Sequence, residues 1–411
     1  MNTLNRRGLA MTLRRASLAL AGLSFAATGP ALAQAGATPV EIATNPFLRL
    51  AGRFPVGTRD YFWVDQTRNE PFTKDPNDKR RVLVQVWYPT AVGASADTSL
   101  YIRNPGEFVG YDGFKPVLKV KTNSVNNAPV AKDESSYPVL VYNHGGSWTR
   151  FSATFSTEWL ASHGYIVVSV DHTGFNKTTV FPDGYRFVAD TLRTPARTGE
   201  LKDDAIANWN YLNTVVFPTW TADARFVLDR LEELNRTRGS LFHKRLDLDR
   251  IGVFGWSFGG ATSVQLSKDD PRVKAAVDHD GQLFGDVREK GTTRPVMLIH
   301  NSQTPQELGT TDRDREVMAE LVSMVRAWDS TFRASSTNDW YDVTIAKTTH
   351  GHFSDLTLFF PKNVAQLEPS RAHEIINAYT LAFFDKYLRG RDSDLLAGPS
   401  PSYPEVAFRK R

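Results

Sequence analysis

The chain contains no cysteine. That absence excludes disulfides, thiolate metal sites and a cysteine nucleophile together, so stability must come from the core. A bilayer-spanning run is missing too. The apolar stretch Ala16 to Ala27 falls well short of the roughly 20 residues a membrane helix needs, and nothing later approaches that length. Nor is there a dominant charge. The 49 Lys+Arg exceed the 45 Asp+Glu only by Arg6, Arg7, Arg14 and Arg15, leaving 45 against 45 over the remainder. This balance gives no electrostatic reason to expect nucleic acid or an anionic membrane as partner.

What is present at the start is an export pattern: the basic residues just named, the apolar run, and Ala31-Leu32-Ala33 as a small-residue cleavage site. Residues 1–33 are therefore read as a signal peptide, with the mature chain beginning near Gln34 and residues 34–411 as a single exported domain, periplasmic or extracellular. Neither arginine pair sits in a strong twin-arginine motif, so the sequence does not specify the export route.

Beyond the signal, short β-rich apolar runs alternate with longer helix-compatible segments, the pattern of a mainly parallel α/β sheet flanked by helices. Strands are predicted at Tyr61 to Val64, Arg81 to Tyr88, Pro138 to Asn143, Tyr165 to Asp171, Ile251 to Gly255, Val273 to Asp278, Pro295 to His300 and Tyr341 to Ala346. Helices are predicted at Ala153 to Ser162, Asp203 to Leu212, Thr221 to Leu234, Gly259 to Ser267, Arg313 to Ala327 and Arg371 to Leu388. Two stretches break the rhythm. Ala91 to Tyr137 is polar and rich in Gly, Pro and Asn, and reads as an insertion on the sheet. Thr173 to Arg197 carries Phe175, Phe181, Tyr185 and Phe187, which either form a pocket wall or lid, or pack a surface loop onto the core.

The strongest local signal is Gly255-Trp256-Ser257-Phe258-Gly259-Gly260, after the apolar Ile251 to Phe254 and before a predicted helix. This is the nucleophile-elbow pattern Gly-x-Ser-x-Gly in its strand-turn-helix setting, where small residues on either side let strand and helix approach. An elbow serine needs an imidazole to take its proton and an acid to hold that imidazole, both later in the chain. His350, in the loop after the last predicted strand, is the favoured base, with His352 its nearest competitor; His300, at the end of an apolar strand, is read as a core histidine. For the acid, Asp278 and Asp280 both end the strand that follows the elbow, and spacing does not separate them. Backbone N–H groups of Phe258 and of Gly146, in the His144-Gly145-Gly146 turn after a buried strand, are predicted to stabilise an oxyanion. His144 precedes the serine and is read as holding that turn. Trp148, Trp256 and His352 are predicted pocket residues. Asp278-His279-Asp280 and His350-Gly351-His352 have a metal-like spacing, but a metal would leave the elbow unexplained, so neither a metal nor a cofactor is expected.

These residues resemble the plasma-type platelet-activating-factor acetylhydrolases and their bacterial, dienelactone-hydrolase-like relatives. The resemblance runs from about Phe54 to Leu388. It rests on Pro55-Val56-Gly57, Trp87-Tyr88-Pro89, Tyr142 to Gly146, Leu160 to Tyr165, the elbow, and His350 followed by Phe353 and Asp355. It implies an α/β-hydrolase fold, with insertions forming a cap or pocket wall, and a serine carboxylic-ester hydrolase acting on a short-acyl or lipid-like ester. It also assigns Ser257, Asp280 and His350 as nucleophile, acid and base, and so prefers Asp280 over Asp278. The sequence departs from the family's eukaryotic members at Gly281-Gln282-Leu283 and at Gly146-Ser147-Trp148, so phospholipid specificity and interfacial membrane binding are not implied. The same machinery serves polyesters, phthalate-type diesters and amides. From another class, a non-catalytic binding module would not require the full constellation.

Overall fold

The computed structural model of the chain describes residues 44–93, 97–108, 112–176, 178–188, 207–308, 312–360 and 365–411. The predicted signal at 1–33 lies outside them, as do 189–197 of the second irregular stretch and the first turn of the helix expected from Asp203. The strands are β1 (Val56–Asn69), β2 (Lys79–Pro89), β3 (Thr98–Leu100), β4 (Lys121–Asn126), β5 (Tyr137–Asn143), β6 (Ile166–Asp171), β7 (Thr178–Val180), β8 (Arg186–Val188), β9 (Leu246–Trp256), β10 (Val273–His279), β11 (Val296–His300), β12 (Trp340–Ile345) and β13 (Val406–Lys410). Eleven of them form one sheet in the order β13-β12-β11-β10-β9-β5-β6-β2-β1-β4-β3, and β7 and β8 make a separate hairpin. From β6 across to β12 every pairing is parallel, while β2 and β13 run antiparallel to their inner neighbours.

Both faces of the central strands are covered, which is why the sequence shows bulky runs without alternation. On β5, Leu140 and Tyr142 enter one core with Phe155, Ile375 and Phe384, whereas Val139 and Val141 enter the other with Ala224, Leu228 and Val264. The first face is packed by α1 (Thr154–Ser162) and by α5 (Pro369–Arg389); the second by α2 (Phe217–Arg236), α3 (Phe258–Asp269) and α4 (Asp312–Ser335). β5 leads through α1 to β6 on one side and β9 leads through α3 to β10 on the other, so strand order reverses between β5 and β9. Crevices beyond the carboxyl ends of strands at such a switch point bind ligands.

Three differences from the sequence reading have plain causes. The segment Ala91 to Tyr137 adds strands to the sheet, because β4 pairs with β1 and β3 with β4. The separate helices expected at Asp203 to Leu212 and Thr221 to Leu234 are continuous over the described residues 207–236, with a π turn at Leu212–Val216. Pro218 lacks an N–H and its ring crowds the carbonyl of Thr214, which the wider turn accommodates. β13 was not foreseen, since Arg409 and Lys410 do not read as a buried strand; Arg409 is held at the sheet edge by Asp342 at 2.5 Å.

Candidate active site

Ser257 occupies the turn between β9 and α3 with φ 58° and ψ −122°, a left-handed conformation strained for a residue with a side chain. Its N–H donates to the carbonyl of His279 at 2.9 Å, which ties the turn to β10. The flanking glycines are dictated by contact. A Cβ on Gly255 would lie 2.3 Å from the Gly259 carbonyl oxygen, and one on Gly259 would lie 2.1 Å from that of Asn143. Strand, turn and helix can meet only if both positions lack a side chain. α3 starts directly at Phe258, whose N–H, as the first of the helix, has no intrahelical acceptor.

The two aspartates that spacing could not separate point in different directions. Asp280, also at positive φ (58°), anchors its N–H on the carbonyl of Ile299 at 2.7 Å and turns its carboxylate toward His350. Its Oδ2 lies 2.6 Å from His350 Nδ1, and Asn301 donates to the carboxylate twice, from N to Oδ1 at 2.8 Å and from Nδ2 to Oδ2 at 2.6 Å. Burial pushes this carboxyl up, but the His350 and Asn301 interactions outweigh it and hold the group below the usual carboxylate range. An ionised carboxylate only accepts, so the proton between the pair sits on Nδ1, and in the neutral form of the ring the lone pair is on Nε2.

Asp278 instead points beneath the first turn of α3, where a Cβ on Gly260 would lie 1.8 Å from its Oδ1. It accepts from the Gly281 N–H at 2.8 Å, and burial raises it well above the ordinary aspartate range. His279 faces the opposite side of the sheet, its Nε2 2.9 Å from Thr380 Oγ1 on α5; burial lowers it to about 3. The three neighbours therefore diverge. Among the described residues no group of three or more His, Cys, Asp or Glu side chains is arranged to hold a metal ion.

His350 begins a short 3₁₀ turn, His350–Phe353, after β12. Its carbonyl accepts from Trp256 Nε1 at 3.1 Å and its N–H donates to Gln303 Oε1 at 3.3 Å. Asn301 and Gln303 are not among the residues the sequence singles out; a search for amides at the end of the strand next to Asp280 would find them. Asp355 ties this loop to the rest of the domain, accepting from the N–H groups of Thr154 and Phe155 at the start of α1.

A cavity of about 660 Å³ has Ser257, Phe258, Asp280 and His350 in its wall. The pocket expectations need correction. Trp148, Trp256 and His352 are buried and do not line this cavity. Trp256 packs against the His350 ring at 5.1 Å and Trp148 lies behind it at 6.1 Å. His352 is engaged through Nδ1 with Thr349 and through Nε2 with the Leu367 carbonyl. His300, expected in the core, is partly exposed in the cavity wall.

At the β5 end, His144 is fully buried, its Nδ1 2.7 Å from the Gly145 carbonyl and its Nε2 accepting from the His172 N–H at 3.1 Å. It holds the turn, as its position suggested. Gly145 is required by Trp256, which a Cβ would approach to 2.6 Å, whereas at Gly146 a Cβ would meet nothing closer than Phe175 at 3.6 Å. No acceptor among the described residues takes the Gly146 N–H. Phe175, Phe181 and Phe187 pack in a buried cluster with Trp220 and Phe258, and Tyr185 is exposed.

Comparison with known proteins now gives the fold and chemistry a family. The solved structure titled "Ferulic acid esterase from Streptomyces cinnamoneus at 2.4 A resolution" is similar to this chain with a TM-score of 0.68 and 29% identity, covering 89% of this chain and 99% of that one. The sheet, its flanking helices and this likeness define an enzyme of the α/β-hydrolase fold that hydrolyses esters. The family described as "Platelet-activating factor acetylhydrolase, isoform II" matches residues 48–182 and 234–396, more than half of the sequence, and the chain belongs to it. Among curated relatives, the "Probable 1-alkyl-2-acetylglycerophosphocholine esterase" of Arthroderma benhamiae is 27% identical over 67% of this chain and 67% of its own length. The "Platelet-activating factor acetylhydrolase" of Bos taurus is 24% identical over 86% of this chain and 80% of its own.

Proposed function

We propose that Ser257 is the nucleophile of a two-step ester hydrolysis, with His350 as general base and acid and Asp280 as its orienting carboxylate. The observation that carries this reading is the 2.6 Å contact between Asp280 Oδ2 and His350 Nδ1, in a cavity whose wall also contains Ser257. His350 Nε2 takes the hydroxyl proton as Ser257 Oγ bonds to the ester carbonyl carbon, and the N–H groups of Phe258 and Gly146 receive the oxyanion. Collapse expels the alcohol, which takes its proton from Nε2. Water then attacks the acyl-enzyme by the same route and releases the acid.

The substrate is a short-acyl or lipid-like carboxylic ester, in keeping with the names of the relatives. Residues 1–33 direct export, and 34–411 act as one catalytic domain. The test is Ser257→Ala: with an unchanged melting curve, kcat on 4-nitrophenyl acetate should fall by about 10⁴-fold or more, and labelling by a fluorophosphonate should disappear. Turnover near the wild-type rate would overturn the assignment.

A further inference from the structure

The cavity that reaches Ser257 has a second group of polar side chains, which the chemistry above does not use. His300 at the end of β11, Asp342 on β12, and Asp329 and Arg333 on α4 form its far wall, with Arg409 of β13. Asp342 is satisfied: Arg333 and Arg409 donate to its Oδ2 at 2.8 and 2.5 Å. Asp329 is not. It is 5% exposed and, among the described residues, its Oδ1 has no hydrogen-bond partner. The His300 ring lies between the two carboxylates, its Nε2 3.8 Å from Asp329 Oδ2 and 4.0 Å from Asp342 Oδ1, and it hydrogen-bonds neither. Gln282 Oε1, in the same wall, is also without a partner among the described residues.

Leaving a buried polar atom unpaired costs about 1–3 kcal/mol, so such groups call for a partner. Charge decides which kind. Over the whole cavity Asp280, Asp329 and Asp342 are matched by Arg326, Arg333 and Arg409, so the lining has no net formal charge to offset an incoming ion. A hydroxyl suits it, since one O–H donates to Asp329 Oδ1 while a lone pair accepts from the His300 ring. An ammonium could only donate, and an alkyl group would bury both side chains unpaired.

Distance sets where that hydroxyl sits on the substrate. His279 pairs with Trp256 on one side and with Ile299 on the other, so Ser257 and His300 leave the sheet at the same level, two strands apart. Two strand spacings are about 10 Å. Allowing about 3 Å for the hydrogen bond, an extended chain at about 1.2 Å per bond needs roughly six bonds.

Taking Ser257 as nucleophile, we propose that His300 and Asp329 form a subsite for a hydroxyl carried roughly six to eight bonds from the scissile carbonyl. The experiment uses two matched pairs: hexyl against 6-hydroxyhexyl butyrate places the hydroxyl on the alcohol, and ethyl hexanoate against ethyl 6-hydroxyhexanoate places it on the acyl chain. An apolar pocket would disfavour the hydroxyl in both pairs. The expected result is a kcat/KM preference for the hydroxylated member of one pair by about tenfold or more. Asp329→Ala and His300→Ala should each bring that ratio to within about twofold of one while changing turnover of the plain ester by no more than about twofold. Equal or lower rates for the hydroxylated member of both pairs in the wild type would overturn the subsite, whether or not the variants fold. So would a variant that slows both members alike. The Ser257→Ala control separates the two ideas, because activity surviving in that variant removes the nucleophile assignment, whereas hydrolysis without hydroxyl preference removes only the subsite.

Discussion

Asp278 and Asp280 are the same residue type two positions apart, and their surroundings shift their ionisation in opposite directions. Asp280 is held ionised by a ring N–H and two amide donors; Asp278 lies under α3 with Oδ2 unpartnered and is pushed toward its neutral form by burial. Asp280→Asn should therefore lower kcat by about 10³ to 10⁴-fold, since an amide no longer fixes the imidazole tautomer, whereas Asp278→Asn should leave kcat within about tenfold. The two replacements also differ in stability against pH. A carboxyl with a raised folded-state value contributes stability that is complete below the unfolded aspartate value of about 3.9 and is lost as pH climbs toward the folded value. Wild-type Tm should consequently fall relative to Asp278→Asn as pH is raised from about 4 to 8. A difference in Tm that stays flat over that range would show that Asp278 does not titrate in the fold.

At the scale of elements, the turn between β9 and α3 is a packing solution as much as a chemical one. Gly255 and Gly259 are legible in the sequence because the contact they permit, backbone against backbone, recurs wherever a strand enters a helix this tightly. Gly146 is different, since its place in a loop with room for a Cβ makes it tolerant. Gly259→Ala should cost about 3 kcal/mol in urea denaturation, by forcing α3 away from the end of β5. Gly146→Ala should stay within about 1 kcal/mol of wild type. Periodicity located the other central strands and helices, but β3, β4 and β13 were invisible to it. They are short or charged strands at the two ends of the sheet, stabilised by pairing with a sheet already formed and not by their own pattern.

Across the whole molecule, the β5 loop is backed by a buried ionic network drawn from distant parts of the chain. Arg80 donates to Asp223 at 2.6 and 2.9 Å and to Glu70 at 2.8 Å, and Asp223 also meets Arg68 and His172. His172 in turn reaches Asn143 through Nε2, at the end of β5. Burial pushes the Asp223 carboxyl up, but Arg80, His172 and Arg68 together hold it far below the ordinary range. Arg80→Met should cost about 3 to 5 kcal/mol in chemical denaturation, because Glu70 would be left buried without a cation and Asp223 with Arg68 alone. A loss below about 1 kcal/mol would mean the network is far more hydrated than its burial implies.

From residue order alone came the parallel α/β architecture, the elbow pattern at Ser257, the expectation that an acid and a base follow it in the chain, and the holding role of His144. Each depends on local pattern or on chain order, which the sequence states directly. Spacing left Asp278 and Asp280 open and the resemblance only preferred Asp280; the folded chain turned the Asp280 carboxylate toward His350, brought Asn301 and Gln303 beside that pair, turned Trp148, Trp256 and His352 inward, and put His300 in the cavity wall. Those outcomes depend on which side of a strand a side chain leaves and on which distant segment meets it there. Such facts are set by packing between elements, and no window of consecutive residues contains them.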